Sequence, residues 1–582
     1  MKQHQLIYDS AEQFERELTA LRNQYTGKKA AIQFFYDRGR KEDVISALGM
    51  IERVWDDAEC IGCTANASIH KGRLRDGTVQ AVVMVFESPD TKLETMSFVL
   101  TEDTQQEMCD RLLQRIAEAG WVKGVEMLVT LRDLSSTYIC DRLSKLPADI
   151  AVFGGAAFNR EADRGLVEVF SGKDGFLEEG AVFLLMGGDS LSFRTTFISG
   201  WKPLGAKMTV SHSDRNRLYT LNGEPAFNAY NRYLNIDNDE HFYHNALEFP
   251  ISYERNGISI LRVPSQAMPD GSIVMTADIA EGSAARITYG DPQTILSSII
   301  DRAQMFATFA ADAILIFNCA SRRSFWGTQD IDRETLPFSL LADTAGFYTG
   351  GEFHRMDWSL NQHNVTLVIA AIREGDADIH AAAEAHERLR AYYRDNLEYH
   401  AEHVSMVRRL ANFIDVATEE LADANRRLTR MASTDELTGL YNRREIKRMI
   451  ERSEEYSLIM LDLDNFKMVN DTYGHDEGDT VLRSFSELVG ELVDEAGALA
   501  GRWGGEEFMV LVPTSDSKAV LELAEKIREK YHDIRFERSG THTVSCGVTS
   551  RRGSESCDSV FTRVDDALYS AKRHGRNCTC VK

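Results

Sequence analysis

Residues 501–508 read Gly-Arg-Trp-Gly-Gly-Glu-Glu-Phe, two glycines followed at once by two carboxylates. Apolar residues flank the octet, Leu499 before it and Phe508-Met509-Val510-Leu511-Val512 after it, which predicts the tip of a β-hairpin. Paired glycines let the backbone take positive φ there and leave room for a bulky ligand. Glu506 and Glu507 then offer oxygen ligands to a hard cation such as Mg²⁺. By itself such a turn is equally a solvated hairpin, so its meaning depends on what accompanies it.

Upstream, Ser457 to Leu461 form an apolar run that ends in Asp462-Leu463-Asp464. As a buried strand it puts Asp462 and Asp464 on one face and Leu463 on the other, so a second acidic strand end can meet the hairpin carboxylates. Next comes Asn470-Asp471-Thr472-Tyr473-Gly474-His475-Asp476-Glu477-Gly478-Asp479, rich in groups able to read a purine edge. Near the C-terminus, Asp565 to His574 reads as a helix stopped by Gly575, delivering Lys572 and Arg576 as phosphate clamps.

Together these segments resemble the GGDEF family of diguanylate cyclases, and Asp435-Glu436-Leu437-Thr438-Gly439-Leu440-Tyr441-Asn442-Arg443-Arg444 resembles its entry motif. The resemblance covers 434–582 and implies a ferredoxin-like, palm-type nucleotidyl cyclase domain that joins two GTP into cyclic di-GMP with release of two pyrophosphates. It further implies that Asp462, the Leu463 carbonyl and Glu506 hold Mg²⁺ (or Mn²⁺). Asn470 and Asp479 would bind guanine with His475 beside them, and Lys467, Lys572 and Arg576 would contact the triphosphate. Glu506 or Glu507 would take the hydroxyl proton. The alternative is a catalytically weak scaffold that binds GTP, haem or another ligand; the competent residue types at every matched position favour the enzyme. One departure stands out: where many family members carry Arg-x-x-Asp for product inhibition, this chain has Glu495-Ala496-Gly497-Ala498.

Those chemical groups need a frame. A chain of 582 residues is too long for one core, and 43% hydrophobic with 27% charged residues is ordinarily globular. A formal charge of −24 argues against a nucleic-acid backbone or an anionic membrane as partner. The N-terminus lacks an apolar signal core, and the best apolar stretch, Met305 to Phe317, is short and interrupted by Asp312, so a soluble cytoplasmic protein is expected. Nine cysteines suggest no disulfide framework; Cys60-Ile61-Gly62-Cys63 has redox spacing but reads as buried thiols.

From about Ala381 to Met431 there is neither proline nor glycine. Val407, Leu410, Ile414, Ala417, Leu421, Ala424, Leu428 and Met431 step by three and four, the spacing of a coiled-coil seam. A parallel homodimer through 376–433 would act directly on how two cyclase domains face each other.

Residues 1 to about 375 alternate apolar strand-like runs with helical stretches, a mixed α/β pattern, so the whole reads as an α/β multidomain chain. Gly62-Cys63-Thr64-Ala65, Phe153-Gly154-Gly155-Ala156-Ala157 and Gly350-Gly351 read as small-residue turns. With Phe317 to Arg322, Ala345 to Phe353 and Leu360 to Asn364 they resemble the FIST sensory module, in an N-terminal part (1–225) and a C-terminal part (226–375). The resemblance implies sensing of an unknown small molecule, amino acid or haem-bound nitric oxide among the candidates. Haem would need an axial ligand, for which His70, His354 and His363 are available. For an amino acid, Arg322 or Arg323 would pair the carboxylate and Glu352 the ammonium; internal ion pairs are the plain alternative.

Overall fold

The computed structural model describes residues 1–132, 134–159, 167–396, 406–553 and 555–582, and divides into two compact units, Met1–Val416 and Ala417–Lys582.

The first unit is built from three copies of one supersecondary pattern, strand–helix–strand–helix–strand–hairpin–strand. The first copy runs through strands Lys2–Ile7, Lys29–Tyr36, Glu59–Thr64 and Val79–Phe86, with helices Ala11–Gln24 and Lys41–Val54 between them. The second has strands Lys92–Val99, Val122–Val129, Ala151–Ala156 and Gly180–Gly187; the third has Leu191–Ile198, Ala313–Cys319, Asp343–Thr349 and Leu367–Glu374. In each sheet the last strand of the copy lies between the first and the second, and each copy's hairpin leaves to complete another sheet. Ser68–His70 and Arg73–Arg75 join the third sheet, Val169–Ser171 and Gly175–Leu177 the first, Glu352–Met356 and Ser359–His363 the second. The exchange is cyclic, so no copy completes its sheet alone.

One face of each sheet contributes to a shared core that includes Phe35, Val82, Leu128, Phe153, Leu184, Phe317, Phe347 and Val368. The opposite faces are buried under each copy's own helices. Strands covered on both sides explain the near-continuous apolar runs seen in the sequence. Between Leu191–Ile198 and helix Pro292–Ala307 the third copy carries an insertion whose strands form a further sheet around Trp201–Asp214.

Of the three small-residue segments expected to be turns, Gly350-Gly351 is indeed the bend between strands Asp343–Thr349 and Glu352–Met356, whereas the other two lie largely within strands. Gly62, Gly154 and Gly346 sit opposite Phe34, Met127 and Ile316 in equivalent parallel registers. A Cβ on Gly154 would stand 1.9 Å from the Met127 carbonyl oxygen, and one on Gly346 1.8 Å from that of Ile316, with φ of +153° and +152°. These glycines let neighbouring backbones pack; they are not ligand-admitting loops.

Two helices lead out of this unit, Ile379–Asn396 and Met406–Ser433, with 397–405 outside the described residues. The expected seam lies on a helical backbone. Leu410, Ile414 and Leu421 are 54%, 43% and 70% exposed, an apolar row without cover in one chain. The side chains of Val407, Leu428 and Met431 lie outside the described ones. Among the described residues no helix is long and apolar enough to cross a membrane.

In the second unit, a five-stranded sheet has the order Leu499–Gly504, Glu507–Val512, Ser457–Leu463, Val544–Ser550, Thr579–Val581. Helices His475–Glu495 and Ser517–His532 bury one face around Phe485, Phe508 and Tyr531. Helices Arg443–Arg452 and Cys557–Arg573 cover the other around Tyr456, Met460 and Leu568.

Candidate functional site

The octet is a hairpin tip, as expected: Leu499–Gly504 and Glu507–Val512 pair antiparallel, and Gly505 takes φ +52° at the turn. Strand Ser457–Leu463 pairs beside it in the register that sets Asp462 opposite Glu507, and the Leu463 N–H donates to the Glu506 carbonyl at 3.3 Å. Asp462, Glu506 and Glu507 are therefore brought to one strand end by the sheet itself.

Asp462 is buried, 5% exposed. Its carboxyl is raised above the usual carboxylate range because burial disfavours the charge; Lys572 opposes that shift, and Glu506 and Asp464 add to it. Glu507 is raised likewise, by burial first and then by Asp462, with Lys572 opposing and Asp565 and Glu506 adding. Lys572 Nζ lies 2.7 Å from Asp462 Oδ2. Carboxyls raised first by burial and then by one another, and partly relieved by one ammonium, are chemistry suited to a divalent cation. The oxygen donors of Asp462, Glu506 and the Leu463 carbonyl fit Mg²⁺. Among the described residues no three His, Cys, Asp or Glu side chains already converge on a single point.

Asp464 departs from the expectation that it faces the hairpin carboxylates. It accepts from Thr543 Oγ1 at 2.7 Å, Ser545 Oγ at 2.6 Å and the Asn577 N–H at 3.0 Å. Its lone pairs fasten the turn that carries Arg576 to the central strand, so it positions the site. Arg576 itself is exposed, as is Lys467.

On the other side of the strand end, helices Phe466–Tyr473 and His475–Glu495 meet at Gly474. A Cβ on Gly478 would come within 2.0 Å of Asn470 Oδ1, so this glycine is what lets the Asn470 amide lie beside the start of the second helix. Asn470 thus packs against the first turn of the helix that also carries the half-buried Asp479, and the exposed His475 opens that helix.

Sequence reasoning missed the role of Arg502. Its guanidinium grips the Gly505 carbonyl at 2.9 and 2.8 Å and reaches Asp435 of the entry motif at 3.2 Å. Burial would raise the Asp435 carboxyl, but hydrogen bonds from Thr438 and the charge of Arg502 hold it below its ordinary value. The entry motif thereby fixes the tip on which Glu506 rides. The signal was present, an arginine beside the first glycine of the octet, but its partner lies far upstream.

In the first unit, two of the three haem candidates are interior side chains. His354 and His363 are 3% and 1% exposed, and Phe197 stacks on the His363 ring at 4.3 Å. Burial lowers both imidazoles, and Phe197 lies against each ring, with the two rings 6.4 Å apart. His70 is half-buried on the short strand Ser68–His70 that completes the third sheet. Arg322 forms a fully buried bridge to Glu334, and Glu352 accepts from Thr366 in the interior, so neither faces a ligand. Cys60 and Cys63 are buried free thiols, pushed up by burial.

A carboxylate-rich hairpin meeting an acidic strand end on a helix-sandwiched five-stranded sheet defines a palm-type nucleotidyl cyclase domain. Residues 432–578 match the family described as diguanylate cyclase, GGDEF domain, and residues 30–224 and 226–355 match the FIST N and FIST C domains. The chain thus carries a GGDEF domain, with FIST N and FIST C domains ahead of it. Among curated relatives, Diguanylate cyclase DgcM of Escherichia coli K12 is 42% identical over 158 residues, 26% of this chain and 38% of that protein. A diguanylate cyclase of Vibrio cholerae is 34% identical over 180 residues, 29% of this chain and 56% of that protein. The chain thus spans about two fifths to just over half the length of these relatives. A solved structure of the coiled coil and GGDEF domain of DgcB from Caulobacter crescentus, in complex with c-di-GMP, is 32% identical. It covers 31% of this chain and 100% of that one, with a TM-score of 0.29.

Proposed function

We propose that the protein is a diguanylate cyclase whose turnover is set by a small molecule acting on its FIST region. Residues 1–375 receive the signal, 376–433 carry it, and 434–582 perform the chemistry in the cytoplasm, where GTP is at hand. The observation that carries the reading is the register that sets Asp462 against Glu507, with Glu506 on the tip and Lys572 already at the carboxylates.

Each cyclase domain takes one GTP, and a homodimer sets two such sites face to face. Asn470 and Asp479 hold the guanine edge, with His475 beside it. Lys467, Lys572 and Arg576 hold the triphosphate, Lys572 passing from Asp462 to phosphate oxygen. The 3′-hydroxyl of one nucleotide attacks the α-phosphorus of the other; a new P–O bond forms, the bond to the β-phosphate bridge breaks, and pyrophosphate leaves. Glu506 or Glu507 accepts the hydroxyl proton; burial and then the nearby Asp462 raise the Glu507 carboxyl, which suits it to that task. Mg²⁺ or Mn²⁺ held by Asp462, the Leu463 carbonyl and Glu506 supplies neutralisation of the phosphate charge.

The test is the purified chain with GTP and Mg²⁺, its products resolved by anion-exchange chromatography. Cyclic di-GMP and pyrophosphate in a one-to-two ratio are expected. GTP bound but unconsumed would establish the scaffold reading.

A further inference from the structure

The cyclic exchange of hairpins brings strand ends from all three copies to one place, together with the inserted sheet. There an open pocket of about 700 Å³ is lined by Asn66 from the first copy, Phe158 from the second, Arg323 and Thr349 from the third, and Ser265 and Thr276 from the insertion. It lies where the FIST N and FIST C segments meet, the kind of junction at which ligands are commonly held.

Its chemistry is specific. Arg323 and Asp76 are its two charged wall residues, and they neutralise each other: Arg323 Nη2 is 2.7 Å from Asp76 Oδ2, while Nη1 reaches Asn66 Oδ1 at 2.9 Å. A ligand with net charge of either sign therefore gains no net field from the wall. Two wall hydroxyls have spare capacity of opposite kinds. Ser265 Oγ donates to the Val274 carbonyl at 2.9 Å, which leaves its lone pairs to accept. Thr276 Oγ1 accepts from the Val263 N–H at 3.1 Å, which leaves its proton to donate. A wall that offers donors and acceptors side by side suits groups that do both, above all hydroxyls. The Phe158 and Tyr243 rings add an apolar surface of the sort that lies against the C–H face of a sugar ring.

We propose that this pocket is the effector site and that its ligand is an uncharged, polyhydroxylated small molecule of mono- to disaccharide size; the proposal rests on the reading of the FIST region as the controlling part. The wall helix Ala320–Asp330 also has a mechanical continuation. Arg322 ties it to Glu334 of the following short helix Ile331–Glu334, whose Arg333 shares a small cleft with Tyr392 of the outgoing helix Ile379–Asn396.

Isothermal titration of the full chain with glucose, galactose, trehalose and myo-inositol, beside gluconate and glucosamine as charged counterparts, tests it. At least one uncharged probe should bind, and Ser324→Trp, at the exposed rim of the pocket, should weaken that probe at least tenfold without altering the circular dichroism spectrum. Thr276→Val, which keeps shape and removes the free proton, should weaken it severalfold. Binding by the charged probes alone, heat from none of the panel, or affinity unchanged in both variants would overturn the proposal. Cyclic di-GMP formation from GTP, assayed on the same preparation without probes, separates the two readings. Turnover without probe binding sinks this inference and leaves the enzyme, whereas probe binding without turnover does the reverse.

Discussion

The two units solve the problem of gathering functional residues in opposite ways. In the cyclase unit, Glu506 and Glu507 come from one hairpin tip and meet Asp462 through a single strand pairing. In the FIST unit, the pocket draws single residues from positions as far apart as Asn66 and Asn364, and three repeats plus an insertion must fold before it exists. A catalytic centre needs particular side chains at fixed separations, so the chain keeps them close together. A binding pocket needs a shape lined by common polar residues, and any packed strand ends can supply it.

That contrast predicts where a single substitution has the largest effect. Asp462→Ala or Glu506→Ala removes a carboxylate from a site with few protein ligands and should lower kcat on the order of a thousandfold or more. The fold should persist, since Glu506 is at a turn and Asp462 at a strand end. Initial rates of cyclic di-GMP formation, with thermal denaturation as control, check this; near-wild-type turnover in either variant would remove that residue from the metal site. Lys572 is freed in Asp462→Ala, so that variant should lose kcat without losing all affinity for GTP.

The FIST unit should respond in stability instead. Glu126 is fully buried in the second sheet, where burial pushes its carboxyl up to about 8, while the Gln33 amide that donates to it opposes the shift. Unfolded, this group titrates near 4.5, so the folded state holds the proton more tightly. Stability from that proton is complete below about pH 4.5 and is lost as the pH rises towards 8. Glu126→Gln keeps the neutral shape at every pH and should stabilise the unit by a few kcal/mol at pH 8, and by little at pH 4.5. Melting temperatures of both proteins across that range decide it: a shift independent of pH would show the carboxyl is not held protonated.

How much of this was legible follows the same division. The octet hairpin, the Asp462 strand and the helix carrying Lys572 were readable because each is a short run with an unambiguous period or turn. Asp464 was misread because strand alternation gives its face but not the Thr543, Ser545 and Asn577 donors waiting there. Gly62 and Gly154 looked like turns because glycine clusters mark turns more often than tight strand packing, and Gly346 repeats their placement. Their repetition was the trace of the threefold pattern, hidden by the insertion that splits the third copy and by hairpins that pair outside their own copy. Arg322 and Glu352 carried the right chemistry for a ligand and were spent internally.

Between the units, the exposed row Leu410, Ile414 and Leu421 has its effect only through a second chain. Leu421→Glu with Leu428→Glu would place like charges in the seam of a parallel dimer. Sedimentation should then show monomer, and specific activity at low protein concentration should fall about tenfold, an order-of-magnitude expectation for a few kcal/mol of lost association offset by residual encounter. A double variant that remains dimeric and fully active would mean that association rests elsewhere.

The smallest expected effect is the response to product. Glu495 stands where many GGDEF proteins have the arginine of their inhibitory site, and it is already paired with Lys526 at 2.8 Å. That partner and its charge hold the carboxyl below its ordinary value, so at neutral pH it presents a negative charge to any approaching phosphate. Arg502, a nearby arginine of the octet strand, is occupied by Gly505 and Asp435 and has its fork turned towards the tip. Cyclic di-GMP should therefore produce little non-competitive inhibition, and control should fall to the FIST unit and the connecting helix. Initial rates at saturating GTP with added cyclic di-GMP, read beside calorimetry, provide the measurement; micromolar inhibition that excess GTP does not relieve would contradict it. Glu495→Arg together with Ala498→Asp should install such inhibition, because it supplies both the bidentate cation and its acidic companion at the same spacing.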